Sequence, residues 1–411
     1  MRRDSADEKE SLVIVQYQIA RTIEKLLPSY TDFLSQLVKI KSEYGFEKEA
    51  QQLVRQKMET IGLQPSMFYS RDDVEAVNLV ATISGTNKYY KKSLILNAHC
   101  DVTPVDDISR WTRHPYSGEI INNILYGRGA QDDKAGVAII LLIAEVITTL
   151  NLNLGGDLLI QSVIEDETTG NGSKTLIDNG YKADGVIIVD GTWSERIIYA
   201  HLGQLWINIE ISGDPVAACV ESRGVNPIYL GMEYIKKAKG LITELNKKAT
   251  EFEKIAEPYF VNTGSFHSGA WHGSVPSIAL LQMQVGFPEQ HTPQTMMSLL
   301  EDLGRCTSER IKIQQDILAT PAFRTDPKNS LITKLKDVIH HNSRKEVLTV
   351  PITGHCDMRH FPTSNICLYG PGAGKNAHGI DECYMLDQLP IVAKNLLDFA
   401  LIWCNEEKER L

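Results

Sequence analysis

An apolar run that ends in His99-Cys100-Asp101 is the feature that most restricts how this chain can fold. The run, residues 94–98, has the length and composition of a buried strand. An imidazole and a carboxylate two residues apart, where such a strand ends, can lie side by side. The carboxylate of Asp101 then holds one ring nitrogen of His99 while the other nitrogen faces a metal ion. The segment therefore predicts a buried strand with a metal ligand at its end.

Length, charge and cysteine usage restrict the class of protein. A chain of 411 residues exceeds what one core usually supports, so two domains are expected. The net charge of −10, without a sustained Lys/Arg block, argues against nucleic acid and membranes as partners. No apolar stretch has the length of a membrane span, and the charged start lacks a secretory segment. Seven scattered cysteines indicate reduced thiols, and we expect a cytoplasmic protein.

Apolar periodicity predicts alternating strands and helices in both terminal parts of the chain. Strands are expected at residues 77–83, 93–98, 157–164, 185–189 and 366–369. Helices are expected at residues 19–27, 30–40, 47–61, 133–150, 173–179, 329–340 and 386–404. This alternation is typical of an α/β sheet covered by helices on both faces. We expect the charged ends, before residue 10 and after residue 405, to be disordered.

The middle of the chain has a different pattern. Strands are expected at residues 204–212, 260–265 and 277–286, and helices at 226–252 and 292–311. This βαββα order suits a small α+β domain with an open sheet. We therefore predict that residues 201–316 form a domain inserted into an α/β domain made of residues 1–200 and 317–411.

Further candidate ligands are Asp132, which follows residues 125–131 and opens a helix, and the acidic turn with Glu167, Asp190 and His378, which follow predicted strands. Ligands in open α/β sheets bind beyond the carboxyl ends of the strands. Each residue has an ordinary alternative, since Asp132 could be only a helix N-cap and Asp190-Gly191 only a turn. Five candidates in the same structural position favour one rim that holds two zinc-like ions, with one carboxylate bridging.

Four stretches extend this pattern into a family resemblance: residues 96–104, 126–136, 162–172 and 369–382. On these motifs the chain resembles the aminoacylase / acetylornithine deacetylase / succinyl-diaminopimelate desuccinylase / glutamate carboxypeptidase family of dinuclear zinc hydrolases. The resemblance implies a zinc-peptidase-like α/β/α sandwich with an inserted α+β (ferredoxin-like) lid domain. Residues 1–200 and 317–411 would be the metal-binding catalytic domain, and residues 201–316 the lid through which a homodimer forms. It also implies a cis peptide bond between Asp132 and Asp133.

The resemblance also implies the roles of the site residues. Asp132 would bridge two Zn²⁺ ions per chain, with Co²⁺ or Mn²⁺ as alternative metals. His99 and Asp190 would hold one ion, and Glu167 and His378 would hold the other. Asp101 would orient His99, and Asp166 would be the general base that takes the proton of the attacking water.

The chain departs from the family at the base and in the lid. Asp166 stands where the family has Glu, and a shift near 1 Å could cost about a hundredfold in rate. Glu165 is an alternative base, although its register directs it elsewhere. By spacing, Ala217 replaces a lid His that stabilises the oxyanion. An Asn of the family falls near Gly273, and the family's substrate-clamping Arg falls near Gly286.

Three other side chains offer replacements for these contacts. His267 or His272 could supply the oxyanion donor, and the alternative is that both are surface histidines. Arg359 is a candidate substrate contact from the catalytic domain, and an ordinary ion pair is the alternative.

We therefore predict a metallohydrolase that cleaves the amide bond of a small N-acyl amino acid or peptide. The alternative is a metal-binding homologue with altered or lost hydrolytic activity, in a binding, regulatory or biosynthetic tailoring role. A purely structural protein is a third possibility, which a metal content below about one ion per chain would favour.

Overall fold

The computed structural model describes residues 4–71, 76–191, 193–250, 252, 255–372 and 374–408. The α-helices in these ranges are α1 Asp4–Lys39, α2 Lys48–Thr60, α3 Lys134–Leu150, α4 Asn171–Asp178, α5 Pro227–Asn246, α6 Pro293–Thr307, α7 Ser330–Ser343 and α8 Gln388–Trp403. The strands are β1 Ser66–Tyr69, β2 Val77–Ile83, β3 Leu94–His99, β4 Glu119–Ile121, β5 Ile124–Tyr126, β6 Leu158–Val163, β7 Gly185–Ile188, β8 Arg196–His201, β9 Gly203–Ser212, β10 Phe260–Ser268, β11 Ile278–Phe287, β12 Ile311–Thr320, β13 Phe323–Arg324, β14 Leu348–Ile352, β15 Ile366–Leu368, β16 Gly374–Lys375 and β17 Cys383–Met385. Within these described ranges, no helix combines the length and hydrophobicity needed to cross a membrane.

The first helix differs from its prediction. The sequence suggested two helices and a disordered start, but α1 is continuous from Asp4 and contains Pro28. Proline inside a helix removes one backbone hydrogen bond and normally bends or ends it. Packing on both sides of Pro28 offsets this cost. Ile23 is buried before it, and the Tyr30 hydroxyl after it donates to Glu145 of α3 at 2.7 Å. Residues 1–3 and 409–411 of the predicted disordered ends lie outside the described residues.

The chain divides into two compact units. The first comprises residues 1–199, 325–350 and 360–411, and the second comprises residues 200–324 and 351–359. The second unit thus contains all of the predicted insertion, 201–316, together with residues 200, 317–324 and 351–359.

The central sheet of the first unit has the strand order β1-β2-β6-β3-β7-β15-β8. Strands β6, β3, β7 and β15 are parallel neighbours, and their pairing register aligns their carboxyl ends. These strands match the predicted ones within one or two residues, because each is a mainly apolar run that is buried on both faces. Helix α3 is buried along nearly its whole length, between the sheet and helices α1 and α8.

A small antiparallel sheet of the first unit was not predicted. Its order is β16-β17-β5-β4, and we call it the ribbon sheet. Strands β4 and β5 are joined by Asn122 and Asn123, whose φ angles of 50° and 63° are those of a tight two-residue hairpin. Strand β17 pairs with β5, which brings the chain after Tyr126 next to the chain before Cys383.

The second unit is a ferredoxin-like α+β fold. Its antiparallel sheet has the order β10-β11-β9-β12, with helices α5 and α6 packed on the sheet. The order along the chain is βαββαβ, so the predicted ferredoxin-like α+β class is confirmed. Two boundaries were wrong. Helix α5 ends at Asn246, and α6 ends at Thr307 so that a further strand, β12, begins at Ile311.

Candidate metal centre

Three candidate ligands stand at the carboxyl ends of parallel strands of the central sheet. His99 is the last residue of β3, Asp190 follows β7 by two residues, and Glu167 follows β6 by four. Because these strands are adjacent and parallel, their ends lie at one edge of the sheet. The edge is the position where the sequence predicted a site.

The other two candidates come from the ribbon sheet. Asp132 lies in the chain between β5 and α3, and His378 lies in the chain between β16 and β17. The peptide bond between Asp132 and Asp133 is cis, as the family resemblance implied. His378 has a φ of 61°, a left-handed backbone conformation that few residues other than glycine adopt.

The structure brings these five residues together as two groups that share Asp132. His99, Asp132 and Asp190 form one group, and Asp132, Glu167 and His378 form the other. The ligand atoms of each group lie within 4.8 Å of one another. Asp132 turns its two oxygens to different histidines: Oδ1 is 3.2 Å from His99 Nε2, and Oδ2 is 3.2 Å from His378 Nε2. A carboxylate in this position has the geometry of a bridge.

Each group is closed by a second carboxylate. Glu167 Oε1 lies 2.9 Å from His378 Nε2, and Asp190 Oδ1 lies 4.0 Å from His99 Nε2. The burial of the two histidines differs. The His99 side chain is 2% exposed, whereas the His378 side chain is 53% exposed. One group is therefore enclosed by protein and the other is open on the His378 side.

The electrostatics of the cluster favour a bound cation. Burial, followed by the charge of Asp132, raises the pKa of Asp190 to about 7. The charge of Glu167 raises the pKa of His378 to about 12. Crowded carboxylates repel one another in a low-dielectric site, and divalent ions offset that repulsion. Imidazole nitrogens and carboxylate oxygens are donors that Zn²⁺ accepts, so the residues present fit a pair of zinc-like ions.

Asp101 contacts ligands of both groups. His99 Nδ1 lies 3.1 Å from the backbone oxygen of Asp101 and 3.3 Å from its Oδ1. The other carboxylate oxygen, Oδ2, accepts the backbone N–H of Glu167 at 3.2 Å. Asp101 thus faces Nδ1 of His99 and also holds the chain that carries Glu167, and its role in orienting His99 stays a prediction.

The acidic turn after β6 separates its neighbouring carboxylates. Asp166 is buried, and its charge is among those that raise the pKa of His99 against the effect of burial. Glu165 has a φ of 70°, and its carboxylate accepts from Ser70 Oγ at 2.8 Å and Arg71 Nη1 at 3.0 Å. These bonds direct Glu165 to Arg71, so Glu165 is a poor substitute for Asp166 as a base.

Two residues that follow Asp132 anchor the start of α3. The Asp133 carboxylate accepts the backbone N–H of His99 at 3.3 Å and that of Gly136 at 3.2 Å. Burial lowers the pKa of Lys134 to about 8, and its Nζ donates to the carbonyl of Leu37 near the end of α1 and to that of Ile40 just after it, at 2.9 and 2.7 Å. These contacts join the start of α3 to the end of α1.

An ion pair that sequence reasoning did not single out lies beside the centre. Arg128 Nη1 is 2.7 Å from Glu382 Oε2, and both side chains are almost fully buried. The two residues lie inside motif stretches 126–136 and 369–382, which was the available signal. Their 254-residue separation in the chain hides the pairing.

The remaining predicted contacts lie in the second unit, which corrects the expectation that Arg359 belongs to the catalytic domain. Arg359 Nη1 donates to the Cys356 carbonyl at 2.5 Å, and Nη2 lies 3.7 Å from Asp357 Oδ1. Its guanidinium is thus held by neighbours within its own unit, and its substrate role stays a prediction. His267 is in β10, and His272 packs near Trp271. The role of either histidine as an oxyanion donor also stays a prediction.

Two imidazole–carboxylate groups that share Asp132 are the arrangement expected of a dinuclear metallohydrolase. The model of Peptidase family M20/M25/M40 matches residues 95–401, more than half of the chain. The chain belongs to this family of metallohydrolases that act on amide bonds, and the resemblance noted from the motifs is confirmed.

Curated relatives and solved structures agree with this membership. The chain is 27% identical over 407 residues to N-formyl-4-amino-5-aminomethyl-2-methylpyrimidine deformylase of Halalkalibacterium halodurans, covering 88% of this chain and 90% of that protein. It is 27% identical over 334 residues to a probable succinyl-diaminopimelate desuccinylase of Staphylococcus aureus Mu50, covering 74% and 82%.

The fold is similar to that of two solved peptidases. A tripeptidase from Staphylococcus aureus matches with a TM-score of 0.72 and 20% identity, covering 92% of this chain and 99% of that one. A di-peptidase from Saccharomyces cerevisiae matches with a TM-score of 0.80 and 13% identity, covering 95% and 99%. The predicted zinc-peptidase-like α/β/α fold with an inserted lid domain is confirmed.

Proposed function

We propose that the chain hydrolyses the amide bond of a small N-acyl compound at two zinc ions bridged by Asp132. His99 and Asp190 would hold one ion, and Glu167 and His378 the other. The observation that carries this proposal is the Asp132 carboxylate, whose two oxygens each lie 3.2 Å from a different histidine. Co²⁺ or Mn²⁺ could replace Zn²⁺ with these donors.

The metal ions and the protein side chains would have separate roles in the reaction. When bound, the two ions would lower the pKa of the attacking water and polarise the scissile carbonyl. Asp166 would take the proton of that water and return it to the leaving amine. Asp101 would hold His99 in the tautomer that directs Nε2 to the ion, since its oxygens face Nδ1.

The substrate proposed is a small N-acyl amine, with N-acyl amino acids and peptides as the wider class. The family's carboxylate-clamping Arg falls by spacing near Gly286, where this chain offers no cation. The name of the deformylase relative describes an N-formyl aminomethylpyrimidine, a substrate without a carboxylate. Both points favour a small acyl group on an amine that need not bear a carboxylate.

A second candidate is a metal-binding homologue with altered or lost hydrolytic activity. Two departures favour it: the shorter base Asp166 and the apolar Ala217 in place of a lid His. Losing one oxyanion donor typically costs roughly 3 kcal/mol of transition-state stabilisation.

We also propose a cytoplasmic homodimer that forms through the second unit. No disulfide joins the cysteines in the described part of the chain, which suits a reducing compartment. Light scattering at several concentrations tests the oligomeric state, and a monomer at all of them would contradict this proposal.

A substrate panel tests the proposed function. The purified chain is treated with a chelator, reloaded with Zn²⁺ or Co²⁺, and given N-formyl, N-acetyl and N-succinyl amines, matched amino acids and dipeptides. We expect release of a primary amine that stops on chelation and returns with the metal. A protein that binds two ions yet cleaves no member of the panel would favour the second candidate.

A further inference from the structure

The Arg128–Glu382 ion pair occupies the end of the ribbon sheet that faces the candidate centre. Tyr126 of β5 pairs with Cys383 of β17, so the chain that leaves β5 runs beside the chain that enters β17. Arg128 and Glu382 lie at this junction, with their side chains 3% and 0% exposed. Burying two charges carries a desolvation cost, and such pairs often add little stability compared with apolar residues. Their burial beside the site therefore calls for a reason other than stability.

Each partner also holds a segment that carries a candidate ligand. Glu382 Oε1 accepts the backbone N–H groups of Gln131 and Asp132 at 3.2 and 3.4 Å. Arg128 Nη2 donates to the backbone carbonyl of His378 at 3.1 Å. The ion pair thus connects the backbone of Asp132 to the backbone of His378 through three charge-assisted hydrogen bonds.

The left-handed backbone of His378 makes this support important. A φ of 61° is unfavourable for a residue with a side chain, so surrounding contacts must hold it. The His378 side chain is 53% exposed, so packing contributes little to its position. In contrast, His99 belongs to a buried strand whose ladder bonds fix it without any help from Arg128.

We propose that Arg128 and Glu382 are positioning residues for the second ion, which Asp132, Glu167 and His378 would hold. They set the separation between Asp132 and His378, whereas the central sheet sets His99 and Asp190. This inference rests on the metal centre of the proposed function but not on hydrolysis. Loss of the ion pair is expected to weaken the second ion much more than the first, because Asp132 serves both ions whereas His378 serves the second alone.

The test measures metal binding to the chelated full-length protein. Glu382→Gln keeps an oxygen for the two backbone N–H groups but removes the charge, and Arg128→Met removes the donors to His378. Arg128→Lys restores the charge alone. The matched control is Glu145→Gln, which breaks the partly buried ion pair of Lys57 and Glu145. Glu145 lies 12 residues beyond Asp133 in α3, about 18 Å away at 1.5 Å per residue.

Calorimetric titration with Co²⁺, read together with its visible spectrum, separates the two ions. We expect two ions in the unmodified protein. In Arg128→Met and Glu382→Gln, the second ion should bind about 10- to 100-fold more weakly, the loss that is typical when a group that orients metal ligands is removed. The first ion should bind within about threefold of its normal affinity. Arg128→Lys should recover part of the affinity. Glu145→Gln should leave both affinities unchanged even if urea unfolding shows it to be destabilised.

Three results would overturn the inference. They are normal binding of both ions in Glu382→Gln and Arg128→Met, equal weakening of both ions, or a single ion in the unmodified protein. Hydrolysis is read separately. A protein that binds two ions, loses the second in these variants and cleaves no substrate would contradict the proposed function while supporting the positioning role.

Discussion

The central sheet and the ribbon sheet supply ligands to the same centre in different ways. His99 ends a parallel strand, and Asp190 and Glu167 follow parallel strands, whose ladders continue up to the site. Asp132 and His378 flank strands of three residues and are held by side chains, chiefly Arg128 and Glu382. The comparison teaches that a rigid sheet can fix one half of a metal centre, while the other half depends on specific polar contacts.

The two histidines express this difference most directly. His99 is buried, and both its ring nitrogens face carboxylates. His378 is half exposed and has an unfavourable backbone conformation. We expect the central-sheet half to contribute to folding stability and the ribbon half to contribute mainly to metal binding.

Replacing Asp132, which both ligand groups share, should have the largest effect on metal binding and hydrolysis. Asp132→Ala removes the oxygens that face both histidines, so both ions should bind poorly. Hydrolysis should then fall by at least about 1,000-fold, because much of the transition-state stabilisation depends on the two ions. Metal content and initial rates measure this. Asp178→Ala, which breaks an exposed ion pair, is the control and should retain both. One ion held at normal affinity in Asp132→Ala would refute the bridge.

Removing each histidine separately should distinguish its contribution to folding stability from its contribution to metal binding. His99→Ala leaves a cavity and uncompensated buried carboxylates, and should lower the free energy of unfolding of the chelated protein by about 2–4 kcal/mol. His378→Ala should lower it by less than about 1 kcal/mol, because that side chain is half exposed. Each variant should lose one ion. Urea unfolding with chelator present is the measurement, and equal destabilisation would end the distinction between the two halves.

Lengthening the proposed base, Asp166 in the turn after β6, should have a smaller effect of the opposite sign. If the short side chain of Asp166 limits proton transfer, Asp166→Glu should raise kcat by up to about a hundredfold with little change in KM. Glu165→Gln is the matched control. It should leave the pH dependence of kcat unchanged, since Glu165 is bonded to Ser70 and Arg71. An unchanged kcat in Asp166→Glu would argue against Asp166 as the limiting base.

The sequence revealed the central-sheet half more readily than the ribbon half, and the reason is physical. Buried parallel strands are mainly apolar runs, so β3, β6 and β7 and the polar residues after them were visible locally. Strands of three residues carry no periodicity, although the Asn122-Asn123 pair was a hairpin signal.

Long-range pairing was the part that local patterns could not supply. Arg128 and Glu382 are separated by 254 residues, and no spacing rule connects them. Strand β12 was missed because the helical pattern was extended through Ile311 into an alternating segment. The position of Asp132 between two histidines likewise depends on how the ribbon sheet meets the central one.

The smallest expected effect concerns the turn between β4 and β5, and tests whether this turn stabilises the ribbon sheet. Asn122 is exposed and has a φ of 50°, which asparagine tolerates better than a β-branched residue does. Asn122→Val should lower the free energy of unfolding by about 1–2 kcal/mol, whereas Asn122→Gly should stay within about 0.5 kcal/mol of the unmodified protein. Because the turn orders β5 and hence the chain that carries Arg128, the valine variant should also weaken the second Co²⁺ by a few-fold. The first ion should be unaffected, since the strands that hold His99 and Asp190 do not include β5. A valine variant that lost affinity for the first ion instead would mean that the ribbon sheet supports the whole centre.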